Sequence, residues 1–169
     1  VETPLTLTLD QTDPDAIHAA LQTAADRFGA IDILANNAGI DDPTEAAIAD
    51  TSDEIWGETF DVNVTGVFKL CRAAIPLLRD GGSIVNVSSA AALIPVPGMA
   101  AYGISKLGLE HLTLDAAREL APDGTRVNCF RIDLAVASEG FVANTPGEDH
   151  TRWEPSEVAA EGILWMLEQ

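Results

Sequence analysis

Along the 169 residues, short apolar runs alternate with stretches whose apolar positions recur every three or four residues. Leu5-Thr6-Leu7-Thr8-Leu9 alternates with period two and reads as a strand, with Asp10 at its end. Thr12-Asp13-Pro14 is a helix start, a capping side chain ahead of a proline in the first turn. Ile17, Ala20, Leu21, Ala24, Ala25 and Phe28 then fall at helical spacing, and Gly29 stops the helix. Residues 31–35 form a short apolar strand, followed at once by Asn36-Asn37-Ala38-Gly39. Residues 40–50 are an acidic connection. Thr51-Ser52-Asp53-Glu54 reads as a capping box, because Glu54 stands three after Thr51.

A long helical region runs to about Leu78, with a break near Asp61-Val62-Asn63. Gly81-Gly82 turns into a strand over residues 83–89, and a second long helix covers about 100–120. Residues 125–132 are another apolar strand, 138–153 a polar loop, and Pro155-Ser156-Glu157 opens a last helix. The order β-α-β-α-β-α-β-α predicts one domain over residues 1–169, with a parallel sheet and helices on both faces. Such sheets bind ligands outside the carboxyl ends of their strands. Asp10, Asn36, Ser89 and the region after Ile132 all lie at those ends.

Charge narrows the classes of partner. The net charge is −18 with only nine Lys and Arg, and these are scattered, so a nucleic-acid partner is not expected. Cys71 and Cys129 sit in apolar segments and read as buried free thiols in a reducing compartment. No apolar run reaches bilayer length and no signal-peptide pattern opens the chain, so a cytoplasmic protein without membrane contact is expected.

The chemistry concentrates between Ser83 and Lys106. A buried strand ends in Ser88-Ser89, and Tyr102 and Lys106 stand four apart, on one face of the following helix. Tyr102 is the only tyrosine, and Lys106 is one of two lysines. A free phenol has a pKa of about 10, and a cation nearby favours its phenolate. Ser89 can hydrogen-bond a substrate oxygen beside the Tyr102 hydroxyl. Glu139, Asp149 and His150 have no recognised metal-ligand spacing, so no metal is expected.

Asn36-Asn37-Ala38-Gly39, Asn63, Ser89 and Tyr102-x-x-x-Lys106 together resemble the short-chain dehydrogenase/reductase family. Ser89 stands 13 residues before Tyr102, and Asp10 stands 26 before Asn36, as in that family. The resemblance implies a Rossmann-like, doubly wound α/β/α fold, incomplete, with the family's strands three to six present. It implies hydride transfer between NAD or NADP and an alcohol or ketone. Tyr102 is then the acid/base, Lys106 lowers its pKa and holds the nicotinamide ribose, Ser89 orients the substrate oxygen, and Asn63 breaks its helix and carries a relay water. Asp10 contacts adenine. Asn36, Ala38 and Gly39 line the ribose and pyrophosphate side, or brace the central strands, or both. A homodimer or homotetramer is implied as well.

Two departures temper these expectations. The family's Thr-Gly-x-x-x-Gly-x-Gly loop is absent, so the first two strand–helix units and the last strand are expected to be missing and the chain to be a fragment that binds dinucleotide poorly. In the family's strand order the missing pair leaves a gap of roughly 14 Å between residues 5–9 and 31–35, so the first strand either pairs directly with the second or is displaced. Ile132-Asp133 replaces the family's Pro-Gly, with Ser138 as the candidate substitute for a following threonine. A non-catalytic dinucleotide sensor or scaffold, and a lyase or epimerase using the same tyrosine, are the alternative readings.

Overall fold

The computed structural model describes residues 3–42 and 44–167. Helix α1 (Pro14–Phe28) starts where Asp13 Oδ1 accepts the Asp15 amide at 2.9 Å, and ends at Gly29. Its buried stripe is Ile17, Leu21 and Ala25. Phe28 lies outside that stripe, half-exposed under the Arg27 guanidinium.

Three strands form the sheet: β1 (Ile31–Asn36), β2 (Leu78–Ser89) and β3 (Arg126–Ile132), in the order β1-β2-β3 with both pairs parallel. The register sets Asn36 opposite Asn86 and Ser88 opposite Arg131, so the carboxyl ends form one rim.

Residues 5–9 correct the expectation of a first strand. They belong to no strand, and Leu7 is 42% exposed. Alternation prepares a segment for a sheet, but its amides and carbonyls then need a neighbouring strand. No described strand pairs with this segment, and its backbone runs along the surface. Of the two expectations for it, displacement is the one observed.

The expected capping box is not formed: the cap lies one residue later, and Ile55 stands where a box needs Glu or Gln. Helix α2 (Asp53–Phe60) is capped by Ser52, whose Oγ accepts the Ile55 amide at 3.2 Å, while the Thr51 hydroxyl donates to Ala47 O. The expected break is a π-helical turn, Asp61–Gly66, leading into α3 (Val67–Ala74) and a 3-10 turn, Ile75–Leu77. Helix α4 (Ala100–Leu120) matches its expected bounds. The polar segment after β3 holds more structure than a loop: α5 (Glu139–Asn144), capped by Ser138 Oγ, and a 3-10 turn His150–Arg152 capped by Asp149. Helix α6 (Ser156–Leu167) follows.

One face of the sheet carries the main core. Ile17 and Leu21 of α1 pack with Leu70, Ala73 and Ala74 around α3, and Val67 and Cys71 pack with Ile84, Leu109 and Val127. Val85 and Val87 alternate to the opposite face and are buried. There Phe130 meets α6 so closely that a Cβ on Gly162 would stand 2.7 Å from its ring. Over β1 this second face is open, and Ile33 is 47% exposed. The layers are therefore α/β/α, thick on one side and thin on the other. No described helix is long and apolar enough to cross a membrane.

Candidate active site

Four elements deliver the candidate side chains to the carboxyl rim. Strand β2 ends in Ser89, and the turn after it, Ala90–Ala92, lies against the start of α4. That approach depends on Gly103, where a Cβ would stand 2.7 Å from Ala91 O. The close packing brings Tyr102 to Ser89, whose hydroxyl favours the phenolate. One helical turn on, Lys106 is buried, with Nζ donating to Val87 O at 2.9 Å and lying 5.6 Å from the Tyr102 ring centroid. An ammonium has three N–H donors, and Val87 takes one of them.

The π-helical turn aims Asn63 at the loop after β1. Extra turns of this kind inside an α-helix often mark functional sites. Asn63 is fully buried. Its Oδ1 accepts the Ile40 amide at 2.9 Å, and its Nδ2 donates to Ile40 O at 2.7 Å and to Ser105 Oγ at 3.0 Å. Ser105 Oγ in turn donates to Tyr102 O at 2.7 Å. The loop, the π turn and α4 are thus tied through one amide. Gly39 is held between these groups, and a Cβ there would stand 3.0 Å from Asn63 Oδ1 and 3.2 Å from Lys106 Nζ. A side chain at this point would crowd the lysine ammonium.

Asn36 behaves differently from its loop neighbours. Its side chain turns into the helix-covered face, where Nδ2 donates to Asn86 Oδ1 at 2.8 Å and to Cys71 Sγ at 3.4 Å. Asn86 Nδ2 donates onward to Thr113 Oγ1 at 2.9 Å, linking β1, β2 and α4. Ala38 and Gly39 are exposed on the loop. Asp10 is exposed, and its carboxylate accepts the Thr12 amide and hydroxyl at 2.8 and 2.7 Å. It borders an open cleft of about 320 Å³ with Thr12, Ile40, Glu58, Asp61 and Val62. Ile40 is therefore the hinge between the Asp10 cleft and the Tyr102–Lys106 group.

Burial dominates the titration of the central pair. It pushes the Tyr102 phenol up; the Ser89 hydrogen bond opposes this, and the Asp41 carboxylate adds to it. Burial likewise pulls the Lys106 ammonium down, against the Cys129 thiol. Burial is thus the largest influence on the phenol, ahead of the Ser89 hydroxyl.

Sequence reasoning missed several residues here. Ser105, Asn86 and Thr113 carried no motif. Ser88 was passed over beside Ser89, although it donates to Glu110 Oε1 at 2.8 Å. Glu110 repeats the four-residue spacing of Tyr102 and Lys106, and that periodicity could have singled it out. Among the described residues no three His, Cys, Asp or Glu side chains group closely enough to hold a metal ion. Instead, His150 Nε2 bonds the Thr145 hydroxyl and carbonyl at 3.0 and 2.9 Å.

The family model described as enoyl-(acyl carrier protein) reductase matches residues 1–148. The trans-4-hydroxycyclohexanecarboxylate dehydrogenase of Sinomonas cyclohexanicum is 40% identical over 121 residues, 71% of this chain and 46% of its own length. Human dehydrogenase/reductase SDR family member 4 is 44% identical over 118 residues, 69% of this chain and 42% of its own length. The chain thus spans about half the length of the curated relatives it matches. Among solved structures, a dehydrogenase/reductase from Sinorhizobium meliloti superposes with TM-score 0.83 at 28% identity, covering 96% of this chain and 67% of that one. A short-chain dehydrogenase from Burkholderia cenocepacia in complex with NADP gives 0.81 at 28% identity, covering 95% and 68%.

Proposed function

The chain belongs to the short-chain dehydrogenase/reductase family, and from that premise we propose that the protein is an NAD(P)-dependent oxidoreductase acting on a small alcohol or ketone. The observation that carries this reading is the convergence of Ser89, Tyr102 and Lys106 at the end of β2, beside a glycine that puts no side chain against the lysine ammonium. The relatives named as dehydrogenases favour carbinol and carbonyl substrates.

The residues present fit one end of the cofactor. Lys106, with two donors beyond the Val87 bond, would hold the nicotinamide ribose, and Gly39 keeps that approach free of a side chain. Asp10 and Ala38 would face the adenosine side, while the Asn36 side chain braces the strands that carry the loop. A Thr-Gly-x-x-x-Gly-x-Gly pattern to cradle the pyrophosphate does not occur within the 169 residues. When bound, the nicotinamide supplies the hydride acceptor or donor.

The protein's own groups move the proton. In reduction, the Tyr102 hydroxyl gives its proton to the carbonyl oxygen as the carbon becomes a carbinol. In oxidation, the phenolate takes the proton from the carbinol oxygen. Ser89 donates to that same oxygen and fixes it beside the phenol. The raised phenol keeps Tyr102 protonated near neutrality, the form required for reduction. Asn63 contributes by locking the loop at Ile40; a relay water at this residue remains part of the proposal. Half-exposed Ile104 and Leu107 on α4 and Phe68 on α3 favour a homo-oligomer, which light scattering would detect.

The test is turnover of a panel of alcohols and ketones with NAD(H) and NADP(H), repeated with Tyr102→Phe. Turnover that requires the phenol is expected. Equal turnover by the variant overturns the assigned chemistry, and cofactor binding without any turnover favours a sensor.

A further inference from the structure

Beside the reactive group lies a second cluster that the proposed chemistry does not use. The Glu110 carboxylate accepts from Ser88 Oγ at 2.8 Å, and from Arg131 Nε and Nη2, each at 2.8 Å. Ser88 and Arg131 are ladder partners at the ends of β2 and β3. Glu110 follows Lys106 by four residues and Tyr102 by eight, on the same face of α4. One carboxylate therefore joins the helix that carries Tyr102 and Lys106 to both strand ends, one residue away from Ser89.

We propose that Glu110 is a positioning residue, clamping α4 to β2 and β3 so that Tyr102 and Lys106 stand in register with Ser89. The inference rests on the reading of Tyr102 as the proton-transfer group.

The geometry separates this pair from an ordinary surface contact. In the Arg79–Asp32 pair, Nε meets Oδ1 at 2.6 Å between side chains 56% and 64% exposed, and such pairs are easily exchanged for water. The Glu110 side chain is only 16% exposed and is gripped by a two-point guanidinium fork plus a hydroxyl. That fork holds its carboxyl below the usual carboxylate range. At this end of α4 the other ties to β2 are the Lys106–Val87 bond, on a group that must react, and a long Ser88 Oγ to Lys106 O contact at 3.5 Å, while the Asn86–Thr113 bond holds the helix further along. A helix free to slide would then take the tyrosine off the serine, and a shift of about 1 Å can lower a rate about a hundredfold.

Tyr102 is the only tyrosine, so biosynthetic 3-fluorotyrosine gives one fluorine resonance and one phenol titration, at lower pH than natural tyrosine. The groups facing that phenol are Ser89, Asp41 and Lys106; those facing Glu110 are Ser88, Arg131 and Cys129. In the parent protein, Ser89→Ala removes a bond that favours the phenolate and raises the fluorotyrosine midpoint. In a Glu110→Gln background, the same Ser89→Ala step is expected to move the midpoint by less than half as much. With Glu110 intact, Arg131→Lys, which keeps one point of the fork, is expected to retain part of the coupling. In turnover, Glu110→Gln lowers kcat by about 10- to 100-fold with KM little changed. An undiminished Ser89→Ala shift in the Glu110→Gln background overturns the clamp. Should Glu110→Gln fail to fold by circular dichroism, Glu110→Asp, which withdraws the carboxylate by one methylene, is read by the same criterion. Full turnover by Tyr102→Phe would instead sink the premise and leave the fluorine coupling intact, so the two failures are distinguishable.

Discussion

Residues 3–12 and residues 36–110 border the same rim of the sheet but are held there in different ways. The second group is interlocked: Asn63 spends three hydrogen bonds on Ile40 and Ser105, Lys106 is pinned to Val87, and Glu110 joins three elements. The first group is attached at a few points. Gln11 Nε2 donates to Val62 O at 2.8 Å, Lys69 Nζ to Thr12 O at 2.7 Å, and Arg27 Nη2 to Thr3 O at 3.1 Å. The Asp10 carboxylate bonds only within its own turn, to Thr12. The chemical half of the site is thus preorganised by residues within 75 positions of one another, whereas the Asp10 side is loosely framed.

Removing the phenol is the largest way to break that contrast. Tyr102→Phe keeps the ring and its packing but removes the hydroxyl proposed to carry the proton. Turnover is expected to fall about 10²- to 10⁴-fold with the thermal midpoint nearly unchanged. A loss of stability as large as the loss of rate would make Tyr102 a packing residue.

Asn63→Ala should erase the difference between the two halves from the other side. It removes three hydrogen bonds and strands the Ile40 amide and carbonyl, which predicts about 3 kcal/mol of lost stability in denaturant unfolding. Hydrogen exchange at Ile40 should then approach that of residues 3–12. Slow exchange at Ile40 in the variant would show that something other than Asn63 locks the loop.

The interlocked half also carries an alkaline weakness. Burial pushes the Cys71 thiol up from 9.0 to about 11, with the Asn36 amide opposing. A raised folded-state value means that the stability it contributes is complete below pH 9 and is lost as pH climbs to about 11. The loss amounts to about 3 kcal/mol by the usual conversion. Cys71→Ala should flatten stability against pH across that window. A slope equal to the parent's would put the titrating group elsewhere.

The same contrast explains what was legible in the sequence. The bounds of α4, the start of α1 and the break at Asn63 were readable because each is set by neighbours in sequence: a cap, a proline, a periodic stripe. The Ser89–Tyr102–Lys106 group was readable because β2, a turn and α4 follow one another without interruption. The strand expected at residues 5–9 failed because alternation states a preference and pairing is a long-range fact. Ser105, Asn86, Thr113 and Glu110 were missed for a related reason. Each is polar, buried or half-buried, and satisfied by a partner 21 to 50 positions away, and only Glu110 carries a local mark, its spacing from Lys106. The π turn was foreseen as a break but not as the device that aims Asn63 at Ile40.

The smallest effect is also the sharpest test of the loosely framed half. Leu7 and Leu9 are 42% and 37% exposed and lie in no strand, so their side chains bury little. Leu7→Ser and Leu9→Ser in the 169-residue chain should each shift stability by less than about 0.5 kcal/mol, as surface substitutions do. A strand seated in a sheet behaves otherwise, because a leucine on its covered face loses its burial, about 1.5 to 3 kcal/mol, when it becomes serine. Alternating losses, with Leu5, Leu7 and Leu9 costly and Thr6 and Thr8 free, would mean that the segment finds a sheet partner in solution. The displaced arrangement would then be wrong, and Asp10 would be held as firmly as Ser89.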